Sequence, residues 1–78
     1  MQEWETLLLD HLRKLKNIVD QRKITLDTAK ELYDIEWYQD ASIRLEGISS
    51  EIARFVALLR KLGIEETKFL PIINPNNL

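Results

Sequence analysis

The sequence predicts an all-α protein: an antiparallel helical hairpin with a long second helix, completed as a dimeric helical bundle. Three observations carry that expectation. Breakers are scarce, since the 78 residues include two glycines and two prolines and residues 1 to 46 hold neither; strand proteins need far more turn chemistry. Apolar residues recur at three- and four-residue steps, which stack on one face of a helix. Charge also changes sign along the chain. Residues 13 to 23 hold five bases and one acid, and residues 27 to 40 hold five acids and one base. Folding near residues 23 to 27 sets the two blocks side by side, and although each exposed pair contributes little, the pattern favours the antiparallel arrangement.

The first helix is expected from Gln2 to Arg22. Trp4, Leu7, Leu8, His11, Leu12, Leu15, Ile18 and Val19 share one face of it. Glu3 and Glu5 in the first turn, with Arg22 and Lys23 at the far end, complement the helix dipole. Lys23 to Leu26 reads as a tight connection. Thr25, Asp27 and Thr28 are N-cap residues by type, and Thr28 with Glu31 has capping-box spacing.

The second helix carries Ala29, Tyr33, Trp37, Ala41 and Leu45 on one face, with Leu32, Ile35 and Ile43 as a narrower opposite stripe. From Leu45 the pattern becomes a seam of coiled-coil spacing: Leu45, Ile48, Ile52, Phe55, Leu59 and Leu62. Gly47, Ser49 and Ser50 weaken a helix there, glycine by about 1 kcal/mol against alanine. Ile48 nevertheless stays in phase with Leu45 and Ile52, so a continuous or merely kinked helix is expected. A break near Gly47, giving a monomeric three-helix bundle, is the alternative. Gly63 suits the left-handed position after the helix, with Ile64 packing back.

Residues 1–64 therefore form the helical domain and residues 65–78 a tail with an apolar docking segment, Phe69 to Ile73. Pro71 and Pro75 exclude a regular helix through the tail on this reading, and the last few residues are expected to fray. A first helix ending at Arg22 spans about 30 Å, while a segment from Asp27 to Leu62 spans about 54 Å. On those lengths Ile52, Phe55 and Leu59 stand uncovered, so either the chain bends at Gly47 and a third helix folds back over them or a second chain shelters them, a symmetric dimer being the commonest solution.

The function classes narrow by exclusion. There is no cysteine for a disulfide or thiolate metal site, and one histidine, His11, is too few for an imidazole site. His11 lies in the apolar face and reads as a core or interface residue. Glu31-x-x-Asp34 stands without a second carboxylate pair or a Glu-x-x-His partner, so a solvated acidic face is expected and no metal or cofactor. A net charge of −2 gives no general pull toward nucleic acid or membrane, and no apolar run approaches a membrane span. The acidic start, where a secretory signal would be basic, predicts a cytoplasmic chain.

Tyr33, Trp37 and Tyr38 form an aromatic cluster of the kind enriched at interfaces. The sequence thus predicts a non-enzymatic protein–protein interaction module: an adaptor, an assembly subunit or a small inhibitor of a larger protein. Its partner is a second copy, a larger protein or both, and the expected interface is Tyr33, Trp37, Ile48, Ile52, Phe55, Leu59 and Phe69. The alternatives are a small DNA-associated regulator and a metal-dependent helical enzyme using Glu31 and Asp34.

Overall fold

A computed structural model describes residues 3–74, which form three helices: α1 Glu3–Glu31, α2 Ile35–Lys61 and α3 Glu66–Ile73. No strand occurs among the described residues. Gln2, expected to begin the first helix, and residues 75–78, expected to fray, lie outside them.

The first helix does not end at Arg22, and the reason lies in its threonines. Thr25 Oγ1 donates to the Gln21 carbonyl at 3.1 Å and Thr28 Oγ1 to the Ile24 carbonyl at 2.9 Å. Both hydroxyls bond back onto the preceding turn of a continuing helix and do not cap a new one. The turn falls instead at Leu32, Tyr33 and Asp34. There the Asp34 N–H donates to the Ala29 carbonyl at 3.1 Å and the Tyr33 N–H to the Lys30 carbonyl at 3.2 Å, the bond pair of a Schellman ending. Such an ending needs a left-handed residue, and Tyr33 supplies it at φ 55°. Glycine is free of the cost of about 1–2 kcal/mol that this conformation puts on other residues. Tyr33→Gly is expected to gain about 1 kcal/mol of stability; an unchanged or lower urea midpoint would show that the tyrosine side chain makes up the difference.

Asp34 then starts α2, its carboxylate accepting from the Trp37 N–H at 3.0 Å. This cap replaces the Thr28 and Glu31 box. The helix runs unbroken through Gly47 to Lys61, as its phase predicts. An added Cβ at Gly47 meets nothing within 4 Å, so Gly47→Ala is expected to gain about 1 kcal/mol. A destabilised variant in thermal melts would mean the backbone there departs from a regular helix.

The far end of α2 follows the sequence closely. Gly63 sits at φ 81°. The Ile64 N–H donates to Leu59 at 3.1 Å and the Gly63 N–H to Arg60 at 3.0 Å. The Ile64 side chain is buried, completing the Schellman motif and its apolar contact.

The tail corrects a second expectation, because Pro71 lies inside α3. Its missing N–H leaves the Thr67 carbonyl without a helical partner, and Thr67 is exposed, so water can take that bond. The helix closes three residues later, where the Asn74 N–H donates to the Leu70 carbonyl at 2.8 Å.

Packing follows from the corrected lengths. At 1.5 Å per residue α1 and α2 span about 44 and 41 Å, so α1 covers α2 along its whole length. The long uncovered second arm expected from the sequence does not exist. Leu12, Val56, Leu59, Ile64 and Phe69 form the main core, with Leu8, Leu9, Ile52, Phe55, Ile72 and Ile73 packed around it. That core lies at the open end of the hairpin, where α3 adds a third layer. Toward the turn the buried positions are Ala29 and Ala41, which have little side chain to bury. The charge blocks do not pair across the hairpin either. With the turn at Tyr33, the acidic block of residues 27–40 wraps the turn itself. Among the described residues the ion pairs run within α1, within α2, or to α3 and its N-terminal edge.

The described part of the tail, residues 65–74, packs on the chain's own helices. Phe69 is fully buried, Arg60 lies 5.8 Å from its ring centre, and Lys68 Nζ donates to Glu5 Oε1 at 2.6 Å. The ammonium of Lys68 is held above its ordinary value of 10.5, chiefly by that hydrogen bond, then by the charge of Glu5; desolvation opposes the shift and Glu65 adds to it. A raised lysine value means the contact contributes in full below about pH 10.5 and is lost as pH rises through the folded-state value. Amide exchange of α3, corrected for its intrinsic pH dependence, is expected to quicken above that pH. Lys68→Met should abolish this transition; if it persists unchanged, another group controls it.

Candidate interaction surface

The hairpin has two broad sides, and the side-chain contacts identify them. On one side sits α3, fixed by Glu5 and by a hollow in which Pro71 and Ile72 meet Arg13, Lys16, Asn17 and Asp20 of α1. On the other side the His11 ring stands edge-on to Phe55, centroids 4.9 Å apart and planes at 65°. At 100° per residue His11 lies about 120° around α1 from Glu5.

The His11–Phe55 contact also sets the register. In an antiparallel hairpin turning at Tyr33, residues whose numbers sum to 66 lie level. Trp4 is then level with Leu62, Ile18 with Ile48, and Ala29 with Trp37. On the side away from α3, the helical repeat brings Trp4, Leu7, His11 and Ile18 of α1 beside Leu62, Leu58, Phe55 and Ile48 of α2. Of these, Trp4, Leu7, Ile18, Leu58 and Leu62 are exposed, Leu7 to 68%. They form an apolar strip along the open half of the hairpin. Arg22 and Arg44, also level, bound it, with Arg44 Nε 2.9 Å from Asp40.

A second apolar patch occupies the turn. Tyr33 is 90% exposed, Leu32 and Ile35 are exposed to a lesser degree, and Ala29, Tyr33, Ile35 and Tyr38 line an open hollow there. The stripe of Leu32, Ile35 and Ile43 read from the sequence is exposed throughout; none of the described residues covers it.

The expected interface residues divide among these regions. Tyr33 and Trp37 lie at the turn end and are exposed. Ile48, Ile52 and Phe55 are half-buried between the helices. Leu59 and Phe69 are fully buried in the chain's own core and offer a partner no accessible surface in this fold. Trp4, Leu7, Ile18, Leu58 and Leu62, the exposed members of the strip, are not among the interface residues expected from the sequence. The α1 part of the signal is present there, since Trp4, Leu7, His11 and Ile18 share one edge of the α1 face, but it acquires meaning only once the turn is placed.

Chemistry is sparse around these surfaces. Asp34 is engaged as the N-cap of α2. Among the described residues no group of three or more histidine, cysteine, aspartate or glutamate residues is arranged to hold a metal ion, and no helix is long and apolar enough to cross a membrane. Comparison with protein-family models, curated proteins and solved structures finds no match to this chain.

Proposed function

We propose that the chain is a non-enzymatic interaction module that acts when another protein chain covers the apolar strip opposite α3 and completes a helical bundle. One observation carries this reading: five large apolar side chains, Trp4, Leu7, Ile18, Leu58 and Leu62, stay exposed on one side of a hairpin whose other side carries α3. Large apolar patches on small proteins mark interaction sites. Burying each such side chain is worth about 1.5–3 kcal/mol, a large gain for a domain whose size lets it bury only about 60% of the surface its unfolded chain exposes.

Shape supports the same reading. The molecule measures 49 × 24 × 17 Å with a radius of gyration of 14.8 Å, against about 11.5 Å for a compact domain of this length. A photo-crosslinking residue at Leu58 is expected to join the chain to another protein chain, while the same residue at exposed Ala57, which points away from both the strip and the core, should not. Equal labelling from both positions would remove the strip as the working surface.

A further inference from the structure

We infer that the chain covering this strip is a second copy, packed face to face about a dyad parallel to the hairpin. The inference rests on the strip being the working surface, and it adds the partner and its orientation. The accessible surface is 6075 Å². A compact monomer of 9.2 kDa exposes about 4,900 Å² by the usual scaling. The excess, about 1,100 Å², accommodates a standard interface of about 800 Å² per partner.

Charge selects the orientation. With the dyad along the hairpin, α1 of one copy lies antiparallel over α2 of the other, open end over open end, and the register keeps numbers summing to about 66 level. The positions flanking such a contact on α1 are Glu3 and Asp10, seven residues apart; on α2 they are Arg54 and Lys61, also seven apart. Glu3 of one copy then meets Lys61 of the other, and Asp10 meets Arg54. Lys14 and Glu51, nearer the strip, are level as well. All three pairs are of opposite sign, and the dyad makes each twice. Turning the second copy end for end, with the strips still overlapping, sets Asp10 against Asp10 and Arg54 against Arg54. Flanking charges of this kind set partner choice and orientation in helical pairs.

The test uses the whole chain. Light-scattering mass at micromolar concentration is expected to give about twice 9.2 kDa. Asp10→Arg and Arg54→Asp, each at an exposed position, should each give a helical monomer. Mixed in equal amounts the two variants should form a heterodimer. One chain then carries a base at both positions and the other an acid at both, so each contact across the dyad again joins opposite charges. The chain carrying both reversals should dimerise with itself. A monomeric wild type overturns the inference, as do single variants that stay dimeric or a mixture that stays monomeric while helical. A monomeric wild type whose Leu58 crosslinks to a different protein overturns the second copy alone. A monomer without any crosslink overturns the working surface too.

Discussion

Phe69→Ala is expected to lower the unfolding free energy by about 3–5 kcal/mol and to release α3 from α1. The ring is fully buried among Leu12, Val56, Leu59 and Ile64, residues of both long helices and of the connection to α3. Its loss therefore opens a cavity where three segments meet, and a short helix interrupted by proline has little of its own to keep it folded. Domains of this size are only marginally stable, so the loss approaches the whole. It is best read as a urea midpoint with a stabilising osmolyte present. A loss below about 1 kcal/mol, the level of ordinary surface change, would show that α3 is not docked as described.

The second large effect separates two residues that the sequence pattern treats alike. Leu59 and Leu62 are successive members of the same apolar seam. Leu59 is fully buried, whereas Leu62 is 46% exposed. In the dilute limit, Leu59→Ala should cost about 2–5 kcal/mol and Leu62→Ala about 0.5 kcal/mol or less. Equal losses would restore the simple seam, with every position covered alike. The contrast arises because α1 and α3 together enclose one edge of α2, and Leu62 lies on the other.

Much of the fold is legible before the structure is seen. The helical class, the continuity of α2 through Gly47 and the Gly63–Ile64 ending all follow from local rules: scarcity of breakers, the phase of Ile48, and the freedom of glycine at positive φ. The turn is not legible in the same way, because its chemistry is unusual. Tyr33 takes a left-handed conformation where glycine is the ordinary choice, while Thr25 and Thr28, cap residues by type, bond back along a continuing helix. One displaced turn then propagates. Set at residues 23 to 27, it shortens the first helix, lengthens the second, leaves Leu59 without apparent cover and moves the acidic block from the turn to the flank of α2.

The candidate surface shows the same division. The apolar edge of α1, from Trp4 to Ile18, is visible as periodicity, and so is the run from Ile48 to Leu62. Whether either edge faces the core, a third helix or water is not a property of one helix.

The sequence by itself determined that this chain is helical, where α2 ends and how its apolar edges are phased, because those properties depend on residues a few positions apart. Only the tertiary structure decided which edges α1 and α3 cover and which are left as a strip. That decision depends on the level at which distant residues meet, and a single residue held at positive φ sets the level for the whole hairpin.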